Sequence, residues 1–185
     1  MTMVADPTAA LIPSGTWTID PVHSTVEFHV TYAGVTTVKG RAPLVAGTIR
    51  GGEEPAIEGT ISVAGLATFD ETRDAHLRSP DFFDAERHPE LRFASTSVSE
   101  RDGELVVRGS LTIRGVTKPA ELRGTTTGPV VDPWGNERIG LDLATTVDRT
   151  EFGVSWNAPL PSGDNLLPDE IPVLASFSAI RTEQR

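Results

Sequence analysis

Apolar and polar side chains alternate along most of this chain. In the segment 25–30, Val26, Phe28 and Val30 are apolar and are separated by polar residues. The same alternation recurs in four later groups: Ile57, Ile61 and Val63; Leu105, Val107, Leu111 and Ile113; Ile139, Leu141, Leu143 and Val147; and Ile171, Val173, Ala175 and Phe177. A period of two residues turns one face of a strand toward an apolar interior and the other toward water. The pattern therefore predicts antiparallel strands rather than the continuous apolar strands of a buried parallel sheet.

Turn-forming residues separate these alternating segments. Glycine, proline, asparagine and aspartate cluster at positions 51–52, 102–103, 132–136 and 161–164, and these residue types favour tight turns. The spacing predicts roughly eight to ten strands, a number that forms a sandwich or a closed barrel. We therefore expect an all-β fold, with a flexible leader at residues 1–14 and a single domain at residues 15–183.

The segment 73–84 departs from the alternating pattern. Asp70 or Thr72 is placed to cap a short helix that begins near the first residue of this segment. Within that helix Asp74 and Arg78 have the spacing of an ion pair. The sequence therefore predicts a short helix here.

A proline divides the same segment into two parts. Pro80 ends the first helix, because the residue before a proline disfavours the helical conformation. Ser79 can then cap a second short helix with Pro80 at its first position. Phe82 and Phe83 project from this second helix and require apolar surroundings.

Composition excludes several classes of function. The chain has 185 residues, 26 of them acidic and 16 basic, with a formal net charge of −10. Such a charge argues against a nucleic-acid partner and against binding to an anionic membrane surface. The absence of cysteine excludes disulfides, thiolate nucleophiles and thiolate metal sites.

The first residues carry no recognisable targeting signal. Residues 1–14 contain no lysine or arginine and no long uninterrupted apolar run, so they do not resemble a secretion signal or a membrane-spanning helix. We expect a cytoplasmic location and no stable membrane insertion.

The four histidines are the first candidates for metal ligands. His23, His29, His76 and His88 have neither the H-x-H nor the H-E-x-x-H spacing. We therefore expect no metal site, although proximity of His23 and His76 in the folded chain stays open.

Acid–base catalysis is the second enzymatic possibility. Asp20, His23 and Ser24 lie close in sequence, but no G-x-S-x-G motif accompanies them. Asp74 and His76 are two positions apart in the predicted helix, where their side chains diverge. We expect no catalytic residues, and a metal-assisted or acid–base hydrolase that uses His23, Asp74 and His76 stays as an alternative.

Five basic residues lie near predicted loops. Arg73, Arg78, Arg114, Lys118 and Arg149 offer donors for an anionic head group. Pairing with the many acidic residues of this chain is the favoured interpretation.

Aromatic residues at strand and loop positions can either fill a barrel or line a cavity. A barrel of about eight strands can be filled by its own side chains or hold one small ligand. The residues concerned are Phe28, Phe82, Phe83, Phe93, Phe152, Trp156 and Phe177.

Four motifs follow one another along the chain. They are W-x-I-D-x-x-H-S-x-x-x-F at 17–28; R-D-x-H-L-R-S-x-D-F-F-D at 73–84, followed by His88-Pro89 and Phe93; G-x-L-T-I-x-G-V-T-K-P at 109–119; and D-R-x-x-F-G-x-x-W-N at 148–157. In this order they resemble the YceI-like family of lipocalin-like polyisoprenoid-binding proteins. The resemblance extends over residues 15–179.

The resemblance implies an elongated antiparallel, lipocalin-like β-barrel of about eight strands with short helices near one end. It implies an apolar tunnel for a long-chain lipid, typically an isoprenoid, with no catalysis, no cofactor besides that lipid, and a possible homodimer. The chain departs from the family at residues 163–169, where the family has a more glycine-rich turn.

We therefore expect non-enzymatic binding, storage or transport of a long-chain isoprenoid or a related amphiphilic lipid, with a dry structural or stress-associated barrel as a further alternative. Alternation places in the tunnel wall Phe28, Val30, Ile61, Val63, Leu111, Leu141, Leu143 and Phe177. The expected lid or closed end consists of Leu77, Phe82, Phe83, Phe152 and Trp156. The motifs add Arg73, His76 and Asn157 as polar ligand-binding candidates.

Overall fold

The computed structural model describes residues 11–182, which form ten strand segments and one α-helix. The strand segments are β1 (Gly15–Ile19), β2 (Thr25–Tyr32), β3 (Thr36–Ala42), β4 (Leu44–Gly51), β5 (Ala56–Ser62), β6 (Glu90–Arg101), β7 (Glu104–Ile113), β8 (Val116–Val131), β9 (Glu137–Asp148) and β10 (Glu170–Arg181). The helix α1 spans Glu71–Arg78, and two short 3-10 helices span Pro21–His23 and Arg149–Phe152.

The strands form a closed antiparallel barrel. The order is β1-β4-β5-β6-β7-β8-β9-β10, and β1 pairs back with β10 to close the ring. The remaining segments continue two of these strands: β2 pairs with β10 beyond β1, and β3 pairs with β2 in the same way that β4 pairs with β1. The barrel therefore has eight strands, two of which are interrupted: β1 and β2 form one of them, and β3 and β4 form the other. The predicted all-β, lipocalin-like antiparallel barrel of about eight strands is confirmed.

The two ends of the barrel differ in how they are filled. At the end where β1 begins and β10 finishes, which we call the filled end, large apolar side chains occupy the interior. Trp17, Ile49 and Val107 are fully buried there. At the opposite end, which we call the α1 end, α1 and the 3-10 helix Arg149–Phe152 lie beside the strand termini. The interior at that end is hollow.

Residues 11–14 belong to the folded domain. Ile12 is fully buried in the core, and its carbonyl oxygen accepts a hydrogen bond from the Gly52 amide at 3.1 Å. The Trp17 indole donates to the Pro13 carbonyl at 2.9 Å. The predicted boundary at residue 15 is therefore too late, and residues 1–10 of the predicted leader lie outside the described part of the chain.

The helix α1 begins with an aspartate cap, as the sequence predicts. The carboxylate of Asp70 accepts a hydrogen bond from the Arg73 amide at 2.8 Å. The predicted second helix after Pro80 is absent from the described chain, which forms turns there. The amides of Phe83 and Ala85 instead donate to carbonyls in the last turn of α1, which would otherwise lack partners.

The barrel wall is incomplete between β8 and β9 at the α1 end. The ladder between these strands begins at Arg123, which pairs with Ala144, so residues 116–122 of β8 pair only with β7. Pro119 lies in this free edge and has no amide hydrogen to donate. Phe152 is buried in a small apolar cluster beside the gap.

Candidate functional site: an apolar cavity at the α1 end

A cavity of about 610 Å³ occupies the α1 end of the barrel. Inward-facing side chains from all eight strands of the barrel line it, and they are overwhelmingly apolar. The wall residues are Val26, Phe28, Val30, Val38, Leu44, Ile57, Ile61, Leu91, Phe93, Leu111, Ile113, Leu122, Leu143, Val147, Ile171, Val173, Ala175 and Phe177. Its size falls in the range of about 300–1,000 Å³ typical of ligand pockets.

Two glycines keep bulky rings out of the lumen. Gly40 pairs with Phe28 across β2 and β3, and a Cβ on Gly40 would collide with the Phe28 ring. A Cβ on Gly109 would likewise collide with the Phe93 ring. Both rings therefore lie against the barrel wall above a glycine, which leaves the lumen open at these positions.

The cavity reaches the surface beside α1. Four lining residues there are exposed, Tyr32, Asp70, Thr72 and Arg73, and we call the opening that they mark the mouth. The polar mouth and the apolar lumen together suit an amphiphile with one polar end.

Three packed rings line the cavity between α1 and the segment that follows the second 3-10 helix. The His76 ring packs edge-on against Phe82, with centroids 5.0 Å apart, and against Trp156 at 4.8 Å. Phe82 and Trp156 are 5.4 Å apart. Leu77 and Phe83 also line the cavity beside this group. This group joins α1 to the barrel.

A buried carboxylate fixes the start of α1. Asp74 accepts hydrogen bonds from the Thr68 hydroxyl at 2.5 Å and from the Thr68 amide at 2.8 Å. Arg78 donates instead to the carbonyls of Ala64 and Leu66. The predicted Asp74–Arg78 ion pair is therefore wrong, because both side chains bond to the preceding loop.

Arg149 is the most buried cation among residues 11–182. Its Nε donates to the Pro168 carbonyl at 2.8 Å, and its Nη1 donates to the carbonyls of Val154 and Trp156 at 2.8 and 2.9 Å. Burial lowers the pKa of its guanidinium group, although an arginine stays charged at neutral pH. Arg149 therefore holds the loop after it and presents a positive charge at the cavity.

The basic residues near loops do not behave as a set of surface ion pairs. Arg73 donates to the Thr68 hydroxyl and carbonyl, and Arg114 donates to the Gly153 carbonyl. The favoured interpretation of pairing with acids is therefore wrong for Arg73, Arg78 and Arg114. The Arg149 guanidinium lies 3.7 Å from the carboxylate of Asp169, which is beyond hydrogen-bond distance.

Thirteen of the sixteen ligand-binding residues expected from the sequence line the cavity. They are Phe28, Val30, Ile61, Arg73, His76, Leu77, Phe82, Phe83, Leu111, Leu143, Phe152, Trp156 and Phe177. Whether these residues contact a ligand stays a prediction.

The other three expected residues lie outside the cavity lining. Val63 is buried in the core, and its amide donates to the Pro89 carbonyl just beyond the end of β5. Leu141 lies one inward-facing position closer to the filled end than Leu143, where packed side chains surround it. The Asn157 side chain instead bonds to the backbone of Leu167 in both directions, at 2.7 and 3.0 Å.

The loop held by Asn157 contributes to the site in a way that the sequence did not reveal. Leu166 and Leu167 line the cavity, and they lie in the segment 163–169 that departs from the glycine-rich family turn. Their adjacent apolar side chains were a signal for burial. Thr145 also lines the cavity, although its polar side chain gave no such signal.

His23, Asp74 and His76, the residues of the hydrolase alternative, each bond to a different partner. The His23 ring bonds to Asp20 at 2.7 Å, and the His76 ring bonds to Asp81 at 2.8 Å. Asp74 is occupied by Thr68. Within residues 11–182, no group of three or more His, Asp or Glu side chains is arranged to hold a metal ion.

The family model of the YceI-like domain matches residues 17–179. The chain belongs to the YceI-like family. A UPF0312 protein of Pectobacterium atrosepticum is 30% identical over 168 residues, which cover 89% of this chain and 88% of that protein. Protein YceI of Escherichia coli is 34% identical over 136 residues, or 71% of each chain.

Solved structures share the fold of this YceI-like protein. The YceI protein of Campylobacter jejuni is 26% identical, with a TM-score of 0.65 over 80% of this chain and 88% of that chain. A polyisoprenoid-binding domain of Saccharophagus degradans is 13% identical, with a TM-score of 0.66 over 90% of this chain and 98% of that chain. At that low identity, the second likeness concerns the fold alone. No helix in residues 11–182 is long and apolar enough to cross a bilayer.

Proposed function

We propose that this YceI-like protein binds one long-chain lipid tail reversibly in the cavity at the α1 end and does not transform it chemically. The observation that carries the proposal is an apolar lumen of about 610 Å³ with one polar mouth. A single-chain amphiphile matches both features, and isoprenoids are candidates because a structural neighbour is named a polyisoprenoid-binding domain.

The size of the cavity sets the length of tail that it can bury. At roughly 30 Å³ per water-sized group, 610 Å³ holds about 20 groups of that size, and a methylene is similar in volume. Burial of about 20 methylenes contributes roughly 16 kcal/mol before ordering costs. That gain approaches the practical limit of non-covalent affinity. Hence a longer tail gains little, and the filled end limits its entry.

Extraction followed by mass spectrometry tests the proposal. We expect organic solvent to release close to one long-chain lipid per purified wild-type protein. The Phe83→Arg variant should release little, because its charge would lie in an apolar lumen. The control is Trp134→Arg, which alters an aromatic side chain that is 81% exposed and should keep the wild-type load. Equal loading of Phe83→Arg and wild type, or no lipid in any of the proteins after incubation with lipid, would overturn the proposal.

Storage and transport differ in how quickly the tail leaves. The mouth beside α1 is a route by which a tail can reach the lumen without threading through the filled end. A protein with such a route suits exchange of lipid between partners, and we therefore favour transport over long-term storage.

A further inference from the structure

The two most exposed aromatic side chains of residues 11–182 lie at opposite ends of the barrel. Phe69 is 84% exposed and directly precedes Asp70, one of the four residues that mark the mouth. Trp134 is 81% exposed and lies in the turn between β8 and β9 at the filled end. Phe69 lies outside the cavity lining, so a lipid in the lumen does not account for an apolar ring at this position.

The backbone around Phe69 holds its ring in solvent. Its φ of 65° lies in the left-handed region, which is unfavourable for an aromatic residue. The loop before it is fixed, because Ala67 and Arg41 of β3 exchange two backbone hydrogen bonds of 2.9 and 3.0 Å. The Thr68 amide in turn donates to the buried Asp74 carboxylate at 2.8 Å. The exposed ring is therefore presented by a fixed segment of chain.

A second exposed apolar side chain lies at the tip of the hairpin between β2 and β3. Val35 is 81% exposed, and its amide donates to the carbonyl of Tyr32, another mouth residue, at 3.0 Å. The residues between them, Ala33 and Gly34, have φ values of 51° and 70°, as in the tight turns favoured by hairpins. The Ala33 amide donates to the Leu166 carbonyl at 2.9 Å, so this tip is also held in place beside the cavity.

The charges near these two side chains restrict the kind of partner. Asp70 and Glu71 directly follow the exposed ring, and two cations of the neighbouring strand, Lys39 and Arg41, lie 4.0 and 3.9 Å from the Glu27 carboxylate. In a chain with a net charge of −10, these residues do not form the basic surface that binds anionic membranes. Exposed apolar side chains instead suit the interface of a bilayer without net charge.

We propose that Phe69 and Val35, which we call the rim, dock on the surface of a zwitterionic lipid bilayer and place the mouth against it. The inference rests on the proposed binding of a lipid tail and adds the surface with which that tail is exchanged. A tail that passes directly between bilayer and lumen avoids water, which solvates methylene groups poorly. Docking through Trp134 would instead hold the mouth away from the bilayer, because that residue lies at the filled end.

Sedimentation with phosphatidylcholine vesicles tests the docking step on the intact, delipidated protein. We expect Phe69→Asn to lower partition into the vesicles about tenfold, the scale of burying one aromatic ring, and Val35→Ser to lower it less. Asparagine tolerates the left-handed conformation, so Phe69→Asn removes the ring and keeps the turn. Trp134→Ser is the matched control, because it removes an equally exposed ring far from the mouth, and it should bind vesicles like wild type.

The composition of the vesicles tests the charge argument. An equimolar mixture of phosphatidylcholine and phosphatidylglycerol should bind the wild-type protein more weakly than phosphatidylcholine alone at low salt, since the net charge of the chain is −10. Stronger binding to the anionic mixture would overturn the assignment of an uncharged surface.

Transfer kinetics connect docking with exchange of the tail. For wild-type protein loaded with hexadecanoic acid, the rate of release to phosphatidylcholine vesicles should rise with vesicle concentration, because the protein must meet a vesicle before it releases the tail. Phe69→Asn should lose most of this dependence, whereas Trp134→Ser should keep it. A wild-type rate that does not depend on vesicle concentration would overturn the inference.

The remaining outcomes separate the rim from the proposed function. Hexadecanoic acid supplied from cyclodextrin should bind Phe69→Asn with wild-type affinity, because Phe69 lies outside the cavity lining. Equal vesicle binding by wild type and Phe69→Asn, or a loss found in Trp134→Ser instead, would overturn docking through the rim and leave tail binding intact. No binding of hexadecanoic acid from cyclodextrin by any of the proteins would overturn the proposed function itself.

Discussion

At the scale of single residues, the alternating pattern predicted which side chains point inward. It did not predict the orientation of those side chains inside the barrel or their position along its axis. Phe28 and Phe177 line the cavity as expected. The flat position of the Phe28 ring depends on Gly40, which faces it through a strand register that the sequence does not specify. Val63 and Leu141 also have inward-facing patterns, but Val63 lies just beyond the end of β5 and Leu141 lies closer to the filled end, and both pack in the core.

The pairing of Phe28 with Gly40 yields a direct prediction. Gly40→Ala would force the Phe28 ring away from the wall and into the lumen, because its Cβ would overlap that ring. We expect affinity for hexadecanoic acid to fall about tenfold and the free energy of unfolding to fall by about 1–3 kcal/mol.

Gly59→Ala is the matched control for that variant. Gly59 also lines the cavity, but a Cβ there would meet its nearest neighbour, Leu44, at an ordinary 3.6 Å. We expect only a small change in lipid titrations and urea unfolding. Equal losses in both variants would show that the position of the Phe28 ring does not control the cavity.

At the scale of elements, the sequence predicted the start of α1 better than the turns beyond its end. The Asp70 cap is a local signal, and local signals can be read directly from a sequence. The turns after Pro80 form instead of a helix because the amides of Phe83 and Ala85 fold back to the last turn of α1. The short 3-10 helix Pro21–His23, which separates β1 from β2, is also capped, since the Asp20 carboxylate accepts a hydrogen bond from the Val22 amide at 3.0 Å.

Asp20 makes the stability of the fold depend on pH at this break between β1 and β2. Its hydrogen bonds with the His23 ring and the Arg138 guanidinium lower the pKa of its carboxyl group from 3.8 to about 2. A carboxyl whose pKa is lower in the folded state stabilises the fold above its unfolded pKa, and that stabilisation is lost as pH falls toward the folded pKa.

We therefore expect Asp20→Asn to be less stable than wild type at pH 6, with the difference shrinking as pH falls from about 4 toward 2. Urea unfolding measured over that range checks it. Asp102→Asn alters a carboxylate that is 94% exposed and should show a small difference that changes little with pH. A stability difference for Asp20→Asn that stays constant from pH 6 to pH 2 would contradict the role given to this carboxyl.

At the scale of the whole molecule, the number and type of strands were predictable, whereas the hollow half was not. The barrel follows from the repeated alternation, and the closing pair β1–β10 joins the two ends of the domain. Whether a barrel is filled depends on which inward side chains meet across it. Here Trp17 and Ile12 help to fill one end, and Leu166 and Leu167 border the cavity at the other. Contacts between residues so far apart in the sequence cannot be predicted from the local pattern of apolar and polar positions.

The most direct measurement of the central claim uses the tryptophan that lines the cavity. Trp156 lines the lumen, Trp17 is fully buried at the filled end and Trp134 is exposed. Delipidated protein is titrated with octadecanoic acid brominated at mid-chain, because bromine quenches tryptophan fluorescence at short range, and with the unbrominated acid as control. We predict saturable quenching at one chain per protein that is absent in a folded Trp156→Phe variant. Quenching that does not saturate, or that persists unchanged in Trp156→Phe, would contradict a lipid tail in the cavity.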